Sequence, residues 1–308
     1  MKLKNVWKKG LFWVLIIMVG LGFAPFMEAQ EPRLDVAYNA LPFNLPCLVE
    51  KTQRLLIQEG YDVHYHSFGV GHAMTEAMAA GSLDIAPVMG ATSTIVSKAG
   101  GRDIKIIGSY SQAPSAFALA VRPGSLGVSD LRGKKIAVPI GTEVHVLLGK
   151  ILAEQGLTLR DVELVNLLVP DGIAALQSGQ VDATMVVEPV MSRLVQNGAI
   201  EVLRDGEGLI SGLTLSVTTT SLLQSGEVEA YKKAHLRSLE YIQDNREEVL
   251  KLAASELNLP IGIVEAVAEK YTFSAELTNK HLSELQETME FLYKEGLIRR
   301  RIKVEDLL

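Results

Sequence analysis

Two residue types are scarce in this chain, and each scarcity excludes something. Of 308 residues, two are Trp and one is Cys. Trp7 and Trp13 both fall within the first 29 residues, so the remainder has no Trp, which argues against a sugar cleft walled by large stacking rings. A lone Cys47 excludes an intrachain disulfide, and its setting among Leu45, Pro46, Leu48 and Val49 suits a buried apolar thiol. Basic charge is short as well, with 30 Lys and Arg against 36 Asp and Glu. Nucleic acid is therefore a poor partner, because phosphate neutralisation supplies most of that affinity. There is no Gly-x-Ser-x-Gly elbow, no phosphate loop and no zinc-type cysteine cluster, so the reading is of a binding protein, not an enzyme, with no cofactor. His64 and His66 share one face of a predicted strand, but no third ligand at suitable spacing joins them, and no metal site is expected.

What is present begins with a leader. Lys2, Lys4, Lys8 and Lys9 precede an apolar run over residues 11–24, which has the length of a signal-peptide core and is short for a membrane span. This predicts a signal peptide over 1–29, cleaved after Ala29, and a periplasmic destination; an uncleaved anchor is the alternative. Cleavage removes four lysines and Glu28, a net +3, and takes the formal charge from −6 to −9. About 280 residues remain, enough for two lobes with cores of their own.

A short stretch is written twice. Residues 77–88 (AMAAGSLDIAPV) return as residues 175–186 (ALQSGQVDATMV), keeping an Ala, a Gly, an Asp and a Val in register. Each copy reads as a helix closed by a glycine, an aspartate at the turn and a strand buried on both faces. Two lobes of similar build follow, with a ligand cleft between them at the strand ends. Strands and helices alternate along the chain, which predicts a mostly parallel sheet. The crossing into the second lobe is expected at residues 122–125 and the return near Leu213. From Glu227 the chain reads as an amphipathic helical layer, with Ala234, Leu236, Leu239, Tyr241 and Ile242 taken as its packing stripe.

The run over residues 128–142 (VSDLRGKKIAVPIGT), the later 171–182 (DGIAALQSGQVD), Glu188-Pro189 and the closing 296–302 (GLIRRRI) together resemble the solute-binding proteins of ABC importers for nitrate, sulfonates and taurine. The likeness spans essentially the whole chain after the leader. It implies an α/β, two-lobed type II periplasmic-binding-protein fold with a hinge and a C-terminal helical layer. Residues 30–121 and 214–308 would form the first lobe and 122–213 the second. It further implies a monomer that closes on a small-molecule ligand and hands it to an ABC permease and its ATPase. The ligand would be a sulfonate, taurine or nitrate-like solute; a pyrimidine or thiamine precursor, or a non-transport sensor or enzyme-like role on the same fold, are the alternatives.

Three turns are the candidate contacts. Gly141-Thr142-Glu143, Gly71-His72 and Ala91-Thr92 each open a helix after a strand, where free N–H groups receive oxyanions. Both threonines suit the plain role of helix caps equally well. Glu143 departs from the small neutral residue usual in sulfonate binders; it either serves the helix dipole from solvent or, with Asp171 and Glu188, meets an amine or ring N–H of the ligand. Tyr38 and Asn39 after the first strand, and Tyr110 at the end of another, complete the predicted site.

Overall fold

A computed structural model describes residues 31–38, 43–68 and 71–308; the leader and Asn39 lie outside them. Strand β1 (Arg33–Ala37) pairs in parallel with β2 (Asp62–His66) and meets Ile85 through a parallel bridge from Val36. The helical stretch between them is broken in two, α1 (Leu45–Thr52) and α2 (Leu55–Gln58), by Arg54 at φ 55°. Helix α3 (Gly71–Ala79), strand β3 (Ala86–Gly90), helix α4 (Ala91–Ala99) and strand β4 (Lys105–Gln112) follow. After one 3-10 turn at Pro114–Ala116 comes β5 (Phe117–Val121), and then β6 (Lys135–Ala137), α5 (Glu143–Glu154), β7 (Glu163–Val165), α6 (Val169–Gln177), β8 (Ala183–Val187), α7 (Val190–Gln196) and β9 (Glu201–Asp205). The chain ends with β10 (Thr214–Thr218), α8 (Gly226–Asp244), α9 (Arg246–Leu257), α10 (Ile261–Ala268), β11 (Thr272–Phe273) and α11 (Asn279–Lys294).

One sheet has the order β11-β4-β10-β3, another β7-β6-β8-β5-β9. The first is antiparallel throughout and the second is mixed, so neither is the mostly parallel sheet expected. Among the described residues only the strand pairs β1–β2, β6–β7 and β6–β8 are parallel, while β5 runs antiparallel to β8 and β9, and β10 antiparallel to β3 and β4. The cause is the crossing itself. Strand β4 passes to β5 with no crossover helix, and β10 returns the same way, so both enter their new sheet against its direction. Strand β5, ahead of residues 122–125, already belongs to the five-stranded sheet.

Outgoing and returning segments lie against each other. Gly206 N–H donates to Phe117 O at 2.9 Å, and a Cβ on Gly212 would stand 2.5 Å from Ala113 O. Gly212 also has φ +61°, so both the close approach and the backbone call for glycine there.

The repeat folds as paired units. Gly81 (φ +70°) and Gly179 (φ +76°) close α3 and α6, and the strands that follow, β3 and β8, are buried. The aspartates do equivalent jobs. Asp84 accepts from the backbone N–H of Asp35 at 2.8 Å, and Asp182 from that of Lys135 at 2.9 Å. Each therefore ties its helix-strand turn to the start of a neighbouring strand, β1 in one lobe and β6 in the other.

In the C-terminal layer, the buried residues of α8 are Val228, Ala230, Tyr231, Ala234, His235, Ser238 and Ile242, so Ala234 and Ile242 of the predicted stripe are core, and Leu236 is 52% exposed. The reading of Leu236 as core is thus corrected. The helical period is right, but the inner face carries polar residues, which a search for apolar spacing passes over.

Candidate functional site

The first turns of α4 and α5, one from each lobe, meet. Gly90 leads directly into α4, whose first N–H, on Ala91, donates to Leu213 O at 3.0 Å. Thr92 is fully buried, and its Oγ1 donates to Glu143 Oε2 at 2.5 Å. Glu143 begins α5 after Gly141, which turns at φ +78° and lies against Val96 of α4. Burial pushes the Glu143 carboxyl above its ordinary value; Thr92 and Lys150 hold it down in part, and Glu284 of α11 pushes it further up. Glu143 is half-buried and is held by Thr92 instead of standing free in solvent. Its carboxylate is turned to the opposite lobe.

Of the other predicted turn residues, Thr142 donates its hydroxyl hydrogen to Pro139 O at 2.6 Å, bracing the turn, and makes no side-chain cap. Gly71 opens α3 so close to α4 that a Cβ would stand 2.7 Å from Ser93 Cβ. His72 beside it is exposed, as is Asp171 in the first turn of α6.

Three predicted contacts are engaged elsewhere. Tyr110 is fully buried; its hydroxyl accepts from Cys47 N at 2.9 Å, donates to Asn44 Oδ1, and its ring stacks on His235 at 4.8 Å. Tyr38 donates to Glu256 at 3.0 Å and carries Lys51 over its ring at 4.6 Å, so it faces α1 and α9. Glu188 is fully buried, receives the N–H of Ser192 at 3.0 Å in the first turn of α7, and pairs with Lys270 at 2.5 Å. Lys270 follows α10, so the pair ties the start of α7 to the C-terminal helices.

Sequence reasoning missed His145 in the first turn of α5. It is 1% exposed, its Nδ1 accepts from Gly141 N at 3.2 Å, and its Nε2 has no partner. Burial lowers its pKa, so the ring is neutral with its hydrogen on Nε2. A histidine among apolar helix residues carries no signal of this in sequence. Among the described residues no three His, Cys, Asp or Glu side chains form a metal site; His64 pairs with Asp62 and His66 with Asp35 instead.

Residues 45–249 match the family described as NMT1/THI5 like. The chain belongs to that family. Among full-length relatives of this NMT1/THI5-like protein, a Bacillus subtilis (strain 168) protein named as an aliphatic sulfonates-binding protein is 30% identical over 98% of this chain and 94% of its own. The taurine-binding periplasmic protein of Escherichia coli (strain K12) is 28% identical over 92% of both chains. In structure, the alkanesulfonate-binding protein SsuA from Xanthomonas axonopodis pv. citri, bound to MOPS, superposes with a TM-score of 0.81 at 26% identity, covering 90% of this chain and 98% of that one. The fold is accordingly the periplasmic-binding-protein fold. A desulfurization enzyme, DSZB, shares the fold alone, at 18% identity and a TM-score of 0.65. No helix among the described residues is long and apolar enough to cross a membrane.

Proposed function

We propose that this NMT1/THI5-like protein is the periplasmic receptor of an ABC importer for sulfonates, that its ligand lies between the first turns of α4 and α5, and that an ammonium or ring N–H of that ligand pairs with Glu143. The observation that carries this reading is the Thr92–Glu143 contact, a carboxylate held between two helix N-termini that favour negative charge. The sulfonate end of the ligand takes backbone N–H groups, which need no full countercharge. The cationic end takes Glu143, whose burial makes an unpaired negative charge costly and a paired one favourable.

Ligand contact with both lobes favours the closed form, and the permease reads that form. No bond is made or broken. The relatives that span the chain, named for sulfonate and taurine binding, support this reading. Residues 1–29 then act as the export signal, and the mature chain works as a monomer.

Calorimetric titration with taurine, ethanesulfonate, nitrate and an aminopyrimidine tests it. Taurine binding at least tenfold more tightly than ethanesulfonate is the expected result. Equal affinity for the two would remove the role of Glu143 and leave a plain sulfonate receptor; tightest binding by the aminopyrimidine would move the ligand class.

A further inference from the structure

The turn that leads into α5 is tied down at each successive group. Ile140 N–H donates to Asn166 Oδ1 at 3.1 Å, and Gly141 N–H to His145 Nδ1 at 3.2 Å. Thr142 donates its hydroxyl hydrogen to Pro139 O at 2.6 Å, while Thr142 O accepts from the N–H groups of His145 and Val146 at 3.0 and 3.3 Å. Two consecutive backbone donors are thus consumed by side chains. The next two, on Thr142 and Glu143, open the helix, where no carbonyl of the helix reaches them.

One of those side chains is out of place among its neighbours. His145 is 1% exposed and stands between Val144 and Val146, ahead of Leu147 and Leu148, all of them buried. Its Nε2 is enclosed and has no partner, so the ring does not meet a solute itself, and an unmatched buried donor is a cost that leucine in the same place would not carry. What leucine could not supply is the acceptor at Nδ1. Burial alone lowers the pKa of the imidazole, which keeps the ring uncharged at neutral pH and leaves that nitrogen bare. Glycine at φ +78° allows the turn to form but does not hold it. The imidazole does.

We infer that His145 is a positioning residue for the interlobe ligand: by holding the Gly141 N–H, it fixes the peptides that aim the Thr142 and Glu143 N–H groups at the sulfonate. The inference rests on the proposed placement of the ligand between the first turns of α4 and α5. It adds to that site a residue that touches no solute and sets the donors that do.

Two substitutions separate this role from packing. Asn carries Oδ1 where histidine carries Nδ1, one bond beyond Cγ, and keeps the acceptor; Leu fills the space without one. In the nitrogen-15-labelled whole chain, long-range ring spectra should show His145 with Nδ1 bare, and the Gly141 amide should exchange about tenfold faster in His145→Leu but near the parent rate in His145→Asn. Calorimetry should show taurine about fivefold weaker in His145→Leu and within about twofold of the parent in His145→Asn, although the Leu variant melts no lower than the parent. Hydrogen on Nδ1, or a Gly141 exchange rate unchanged by Leu, overturns the inference at the bond. Faster exchange with unchanged taurine affinity overturns it at the ligand, and equal weakening by Asn and Leu reduces His145 to packing. Failure of the parent to bind taurine, ethanesulfonate or nitrate strikes the ligand placement itself and this role with it, whereas the other outcomes strike His145 alone.

Discussion

Thr92 of one lobe donates its hydroxyl to the carboxylate of Glu143 in the other, at 2.5 Å, across the point where α4 and α5 both begin. Under the proposed function, charge at this position decides between taurine and a simple sulfonate. Replacing Glu143 by Gln should weaken taurine about tenfold, the usual loss for one hydrogen bond to a charged group. The same change should leave ethanesulfonate unchanged or tighter, since only repulsion is removed. Paired calorimetric titrations read both effects, and a parallel loss for the two ligands would contradict the charge assignment.

Acidity at the same residue sets a pH dependence. Burial raises the Glu143 carboxyl above its ordinary 4.5, so in that window the folded protein holds more proton than the unfolded chain. Stability then falls as pH rises through the window, and Glu143→Gln should remove that slope and melt higher than the parent at pH 7. Taurine needs the ionised carboxylate and should bind more tightly at pH 7.5 than at pH 5. Melting curves and titrations at both values are sufficient, and pH-independent binding would count against the pairing.

Asp35 behaves in the opposite sense. Arg33 donates to it at 2.7 Å and His66 lies at 2.6 Å, so its carboxyl is held down to about 2 from 3.8 against the opposing effect of burial. Its contribution is fully present above the ordinary carboxylate value and is lost as pH falls toward 2. Asp35→Asn should therefore cost about 2 kcal/mol at pH 7, and the gap to the parent should narrow at pH 3. Urea unfolding at the two pH values measures it.

The paired turns make an additive prediction. Asp84→Ala and Asp182→Ala each remove a carboxylate that accepts from a strand N–H, at a cost of about 1–3 kcal/mol. With no partner in common, the double variant should lose the sum of the two within about 0.5 kcal/mol. A marked shortfall would reveal coupling between the lobes that these contacts do not provide.

Helix α5 supplies a test of lobe contact away from the ligand turns. A Cβ on Gly149 would stand 2.6 Å from the ring tip of Phe291 in α11, and Val146 of the same helix is buried in the core cluster of the first lobe. Gly149→Ala should push the lobes apart and weaken taurine several-fold, and Phe291→Leu in the same chain should restore it. Scattering should show a larger radius for the single variant with ligand present.

The repeat was legible because its glycine and aspartate do backbone work, closing a helix and receiving a strand N–H, and those jobs leave few residue choices. The turn before Glu143 was legible for the same reason, through Gly141 at φ +78°. Tyr110 and Glu188 were not, since an aromatic or an acid at a strand end looks alike whether it meets solute or is engaged by Asn44 or Lys270. Strand β9, with Glu201, Arg204 and Asp205 among its five residues, and the two-residue β11 carry too little apolar pattern to be seen. His235 was hidden for a different reason. Its partner Glu50 is 185 positions away in sequence, and only the packing of α1 on α8 brings them together.

Cys47 has a practical consequence. It is fully buried, and its enclosure pushes the thiol well above the usual range, so it is both shielded and protonated at neutral pH. The surface from residue 31 onward thus offers no competing thiol and no indole emission. A cysteine introduced on either lobe would be the sole accessible thiol, and in the chain from residue 31 onward an introduced tryptophan would be the sole indole, so either can be turned into an optical gauge of the protein's own solute.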